Sequence, residues 1–203
     1  MGGTYRGTLQ LNSSGTDAAP IVVGAYGSGD APIVSGSDLV TGWTPYQGSI
    51  WRAAVSGSVQ QVYVNGQMMT LARYPDTGWL RMDQGTATSL QDADLTQPNG
   101  YWNGATAVIR ASNWNYDLAT VSNYTTGQLT FPTIYDQPGS YQWGYFLCGK
   151  LSELNAPGEW YFDAQAGMLY MQAPGNADPG GLQVEAAVRD SGAFVGWNRE
   201  HIQ

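Results

Sequence analysis

The chain has 203 residues, a net charge of −8 and 12% charged side chains, set against 27 glycines, 13 tyrosines and 8 tryptophans. That length fits one or two domains with a sizeable core, and low charge with many turn formers and aromatics points to an all-β, loop-rich protein. The acidic balance argues against nucleic acid, which needs clustered Lys and Arg, and against docking on an anionic membrane. No apolar run approaches the roughly 18 residues of a membrane span.

The chain opens on Gly2–Leu11, where Leu9 and Leu11 form an inward pair on a short strand. A polar loop, Asn12–Pro20, leads to a second strand at Ile21–Val23. After the turn Ala25–Pro32 comes a third strand at Ile33 and Val34, closed by Ser35–Asp38. Strands of about three residues, roughly 12 apart, with Gly, Asp and Ser at the corners, are the rhythm of a solenoid coil. Such a coil cannot bury its inner face alone and must stack on a neighbour.

Residues 42–181 read as an insertion. Ile50–Val55 is a strand and Val59–Val64 another; Asn65-Gly66 then makes a hairpin, since both residues tolerate positive φ. Gln67–Arg73 is the return strand, broken at Tyr74-Pro75 because proline cannot donate into a ladder. Thr77–Gly104 is polar. Strands are expected at Ala105–Ala111, Ala119–Val121, Gln128–Phe131 and Tyr145–Cys148, and a helical turn over Gly149–Leu154. Cys148, the only cysteine, lies in an apolar run and reads as a buried small hydrophobe.

The clearest element is Ala156–Pro174. Glu159–Asp163 and Met168–Gln172 are apolar and aromatic runs joined by a turn ending in Gly167, which reads as a hairpin. The period of two turns Trp160 and Phe162 to one face, against Leu169 and Met171 across the pair. Glu159, Tyr161 and Asp163 take the other. Leu182–Arg189 and Ala193–Val195 then return to the short-strand rhythm.

Gly2–Asp38, with its run APIVVGAYGSGDAPIVSG, resembles the N-terminal coils of right-handed parallel β-helix proteins, the pectate-lyase-like superfamily. GKLSELNAPGEWYFDAQAGMLYMQAPG is similar to a β-sandwich or barrel-like insertion in some of them. The resemblance covers Gly2–Asp38 and Gln142–Gln203 well and the middle weakly. It implies an all-β fold with partial right-handed parallel β-helix coils at both ends and an inserted antiparallel β-sandwich or barrel. The coils would occupy residues 1–41 and 182–203. Members of this type include β-xylosidase-like glycoside hydrolases and polysaccharide lyases, which implies a secreted bacterial protein, extracellular or at the cell surface. Read this way, the chain is the N-terminal part of such an enzyme, truncated at both ends. An open ladder edge would then invite self-association.

The residues that could do chemistry are few. A Ser-His-Asp arrangement has only His201 to draw on, and no phosphate-cradling loop or zinc spacing is present. Glycoside hydrolysis needs two carboxyl groups flanking the bond; Asp38, Asp163, Glu185, Asp190 and Glu200 are candidates, and Glu159 with Asp163 form a near pair on one strand face. A β-eliminating lyase needs a basic group, for which Lys150, Arg73 and Arg189 are available, although a salt bridge inside the sandwich also suits Arg73. Calcium is the one cofactor left open, through Asp92 and Asp94.

Sugars stack on exposed aromatic faces, and Trp79, Tyr101, Trp102, Trp114, Tyr116, Tyr141 and Trp143 crowd the irregular middle. The expected substrate contacts are Trp102, Trp114, Trp143 and Tyr116, with Asp190, Arg189 and Arg73 as the catalytic candidates of a cleft wall. Two functions stay open. One is a glycoside hydrolase acting on plant or algal polysaccharide, with a lyase second, to which this chain brings a cleft wall and not the full catalytic set. The other is a non-catalytic glycan-binding or adhesin-like surface module.

Overall fold

The structure, a computed structural model, describes residues 2–138 and 143–203. Its strands are short. The first four are β1 (Thr4–Arg6), β2 (Leu9–Leu11), β3 (Ile33–Ser35) and β4 (Ser37–Leu39). Then come β5 (Thr44–Gln47), β6 (Ile50–Ala54), β7 (Gln61–Val64), β8 (Gln67–Met68) and β9 (Thr70–Leu71). The middle holds β10 (Arg73–Tyr74), β11 (Gln84–Gly85), β12 (Ser89–Gln91), β13 (Thr106–Arg110), β14 (Tyr116–Thr120), β15 (Asn123–Thr125), β16 (Gln128–Thr130) and β17 (Tyr145–Cys148). The chain closes with β18 (Glu159–Asp163), β19 (Met168–Gln172), β20 (Val184–Ala187) and β21 (Ala193–Val195). Among the described residues, no helix is long and apolar enough to cross a membrane.

The two ends of the chain pair with each other, in parallel. β1 lies on β3 with Thr4 opposite Ile33, and β2 lies on β21 with Leu9 opposite Ala193. Ile21 and Ile202 form a further parallel bridge, with the Gln203 N–H donating to Ile21 O at 2.9 Å. Parallel neighbours cannot be joined by a tight turn and need a long crossover; the crossover between β2 and β21 is nearly the whole chain. The expected strand at Ile21–Val23 is reduced to that bridge. β1 had no clear alternation to reveal it, because Tyr5 is exposed.

Two pairs of sheets fill the crossover. The five-stranded sheet β5-β6-β19-β18-β9 and the four-stranded sheet β4-β20-β7-β8 share one core. That core takes Trp160, Leu169 and Met171 from the first and Val62, Val64, Val184 and Ala186 from the second. Trp160 stands opposite Met171 and Phe162 opposite Leu169, as the period of two requires. Side chains of this size stabilise by about 1.5–3 kcal/mol each when fully buried. The Asn65-Gly66 turn has φ of 49° and 76°, the two positive values of a type I′ hairpin.

The expected return strand, Gln67–Arg73, instead takes three partners in turn. β8 pairs with β7, β9 runs parallel to β18, and β10 pairs with β17 in a third sheet. Met69 turns into the first core and Ala72 into a small cluster with Leu154 and Tyr170. This segment leads into the second pair of sheets, β10-β17-β13-β14 and β11-β12-β16-β15. Their core holds Ala107, Ile109, Tyr145 and Leu147 against Leu90, Tyr124 and Leu129. β11 and β12 fall within Thr77–Gly104, which reads as polar, and β15 falls between two expected strands, because each offers a single inward apolar side chain or none.

Charged side chains join the terminal segments to the first sheet pair. Arg6 Nη1 lies 2.6 Å from Glu185 on β20 and also donates to Ser37 O. Arg189 forks onto Asp38 of β4 at 2.8 and 3.1 Å, a planar match between guanidinium and carboxylate.

Candidate functional site

The loop between β13 and β14, Ala111–Asn115, is closed by Arg110, whose Nη2 donates to Asn113 O at 3.0 Å. Trp114 stands at its tip, 83% exposed. A second loop, reaching Tyr135 and Asp136, is tied to it from both sides. The Asp136 N–H donates to Asp117 Oδ2 at 3.0 Å, and Asn115 Nδ2 donates to Asp136 Oδ2 at 2.9 Å. Between the two loops opens a cleft of about 790 Å³, walled by Trp114, Tyr135 and Trp143 and edged by Asn113, Asp117 and Asp136. Tyr135 is 91% exposed.

Trp143 is held from below. The Arg110 guanidinium carbon lies 4.6 Å from the centre of its ring, a cation–π contact that fixes the indole plane. Trp143 Nε1, Arg110 Nε and Ser112 Oγ are buried and find no hydrogen-bond partner among the described residues. Gly144 sets the approach of this segment. It has φ of 109°, and a Cβ there would meet Leu80 O at 2.8 Å and Trp79 Cβ at 2.9 Å. Tyr145 behind it is fully buried and donates to Asp92 Oδ2 at 2.6 Å; burial, with Asp92 beside it, pushes the phenol far above its ordinary range.

Of the four expected sugar contacts, the structure brings Trp114 and Trp143 into this cleft. Tyr116 stands beside it, half-exposed, and stacks on Trp79 at 5.8 Å. Trp102 is a correction. It is fully buried, donates to Gln97 Oε1 at 3.2 Å and packs edge-on against Tyr101 at 4.8 Å, so no face of the ring is open to a sugar. Tyr141 lies outside the described residues. Asp117, Asp136 and Tyr135 were not singled out from the sequence; the signal was there in the two aromatic–aspartate pairs, Tyr116-Asp117 and Tyr135-Asp136.

The catalytic candidates do not converge. Arg73 forms no ion pair among the described residues, contrary to the expected salt bridge; it donates to Pro75 O and Gly78 O and lies 3.8 Å over the Phe146 ring. Arg189 is committed to Asp38, and Asp190 accepts from Gln60 Nε2 at 2.7 Å, both in the segment between β20 and β21. Glu185 is paired with Arg6. Glu159 and Asp163 each cap a turn. Glu159 Oε2 accepts from the N–H groups of Asn155 and Ala156, and Asp163 Oδ1 from those of Gln165 and Ala166. Asp92 spends one oxygen on Tyr145 and the other on the Asp94 N–H. Among the described residues, no three His, Cys, Asp or Glu side chains group as metal ligands. Cys148 is buried as expected, and burial pushes its thiol up to about 11.

No protein-family model matches the sequence, and no curated protein matches it. A solved structure described as "Glycoside hydrolase" shares the fold over 99% of this chain, with a TM-score of 0.74 at 19% identity. The chain spans 40% of that structure's length. At that identity the likeness is one of fold.

Proposed function

We propose that the chain is the glycan-binding part of a carbohydrate-active protein of the glycoside hydrolase type. In this reading its end strands are rungs of a right-handed parallel β-helix, and the two sheet pairs are β-sandwiches inserted between them. The parallel pairing of β1 with β3 and of β2 with β21 supports the helix. The fold shared with a glycoside hydrolase structure supports the class.

One observation carries the glycan reading: three aromatic side chains and two carboxylates, from loops distant in sequence, meet in a single open cleft. Aromatic rings offer the apolar faces of a pyranose a stacking surface. Carboxylate and amide oxygens accept from its hydroxyl groups, and hydrogen bonds to charged acceptors contribute about 1.5–3 kcal/mol each. Asp117 and Asp136 each commit one oxygen to the loop-to-loop network, and among the described residues the second has no hydrogen-bond donor. Two carboxylates at the rim favour a neutral sugar and repel an acidic one.

The test is a calorimetric titration of the full chain with neutral oligosaccharides such as xylotetraose. Binding is expected, with Trp114→Ala weakening it at least tenfold while leaving the fold intact. Equal affinity of wild type and variant would remove the cleft as the site. The same samples separate the two classes: a hydrolase releases reducing sugar with time, and a binding module of the cell surface leaves the oligosaccharide whole.

A further inference from the structure

A second groove lies on another part of the molecule, where the two sheet pairs meet. It holds about 590 Å³ between Tyr101 and Tyr161, with Lys150 and Ser152 on its wall. Across the turn at Leu151 and Ser152 it adjoins a further groove of about 480 Å³, reached by Tyr46 and Gln172. Rings underlie the whole path: Tyr46 meets Tyr170 edge-on at 4.9 Å, and Tyr170 lies 6.0 Å from Tyr161. Grooves between packed units are preferred places for small ligands.

The distinctive group is Lys150, the only lysine of the chain. Its Nζ donates to Asn103 O at 3.1 Å, one of three N–H bonds an ammonium has to give, and among the described residues it forms no ion pair. The nearest carboxylate in sequence, Glu153, is 5% exposed, and its Oε1 accepts from Tyr101 Oη at 2.5 Å and Ser152 Oγ at 2.9 Å. That acid takes two hydroxyl donors on Oε1 and forms no ion pair with Lys150 among the described residues. Burial and the bond to Glu153 raise the Tyr101 phenol, so its proton stays in place on that bond. The result is a cation flanked by two tyrosine rings in a protein that is otherwise strongly acidic.

We propose that this groove binds a sugar unit carrying an anionic group, a carboxylate or a sulfate ester, with Lys150 on the anion and Tyr101 or Tyr161 under the ring. The site is distinct from the Trp114 cleft and sorts sugars by the opposite charge. Charge complementarity selects the occupant: among the described residues no carboxylate pairs with the ammonium, which leaves it open to an anionic group on the ligand.

The test titrates the full chain with a galacturonate trimer, a sulfated galactose trimer and xylotriose, and repeats the series with Lys150→Gln, Lys150→Arg and Trp114→Ala. At least one anionic trimer is expected to bind wild type ten times more tightly at this groove than xylotriose does. Lys150→Gln weakens anionic binding at least tenfold, Lys150→Arg keeps most of it, and Trp114→Ala leaves the anionic affinity unchanged while weakening xylotriose at the first cleft. Lys150 is partly exposed, so the Gln variant folds; an unchanged urea midpoint verifies this. Anionic binding that survives Lys150→Gln within twofold, or no anionic binding at all, overturns the proposal. Anionic binding lost with Trp114→Ala and not with Lys150→Gln also overturns it, and moves the acidic sugar to the first cleft. Loss of xylotriose binding in Trp114→Ala alone bears on the first cleft and not on this groove.

Discussion

Trp102 and Trp114 stand twelve residues apart in the same chain segment and should respond to truncation in opposite ways. Trp102 is 0% exposed, stacks against Tyr101 and Tyr74 at 4.8 and 5.5 Å, and donates its indole N–H to Gln97. Cutting a buried Trp to Ala costs about 3–5 kcal/mol through lost transfer energy and the cavity left behind. The two ring contacts and the hydrogen bond put Trp102 at the upper end, about 4–5 kcal/mol, within a total stability of about 5–15 kcal/mol for a domain. Trp114 is 83% exposed, and its removal changes stability by about 0.5 kcal/mol or less. Urea denaturation followed by circular dichroism measures both. A loss below about 1.5 kcal/mol for Trp102→Ala would mean that this ring is not part of the core and would refute the reasoning.

Gly144→Ala forces a Cβ into Leu80 O and the Trp79 side chain at positive φ. It should cost about 1–3 kcal/mol in thermal denaturation and weaken glycan binding by displacing Trp143; a neutral result would show that the segment relaxes freely. Tyr145 has its folded pKa raised by burial. Its contribution is therefore complete below the unfolded value of about 10 and is lost as pH rises beyond it, because the unfolded chain releases the proton first. Stability from urea midpoints should fall above about pH 10 by up to about 1.4 kcal/mol per pH unit for this group. Tyr145→Phe should flatten that slope, and at neutral pH it should cost about 1.5–3 kcal/mol by leaving Asp92 short of a donor. Arg189→Ala breaks a half-exposed ion pair with Asp38 and should cost about 1 kcal/mol or less without changing affinity for a neutral oligosaccharide; a loss of binding would return Arg189 to the site.

The fold was most legible where one face of a strand is buried and the other is not. Trp160, Phe162, Leu169 and Met171 announce both their strands and their register, because a slip by one residue would turn all four to solvent. Asn65-Gly66 was equally plain, since few other pairs take two positive φ angles in succession. The terminal pairing was foreshadowed by the rhythm of corner residues around Leu9, Ile33 and Ala193.

What stayed hidden was non-local. Nothing in Gln67–Tyr74 marks where the chain leaves one sheet for the next, because the switch is decided by the partners, β18 and β17, that arrive much later. Trp102 lies in the irregular middle, outside any strand alternation, and so reads as a loop ring, whereas it is buried in the core of the second pair of sheets. The cleft was half visible. Trp114 and Trp143 stood out as aromatics outside any alternation, whereas Asp117 and Asp136 acquire meaning only when the two loops meet.

The most direct measurement of the central claim follows the eight tryptophan indole N–H signals by nuclear magnetic resonance while a neutral oligosaccharide is added. The account predicts that the signals of Trp114 and Trp143 move together along one saturating curve, while those of the buried Trp102 and Trp160 stay in place. Saturable movement confined to other tryptophans, or eight signals unmoved by millimolar sugar, would contradict it.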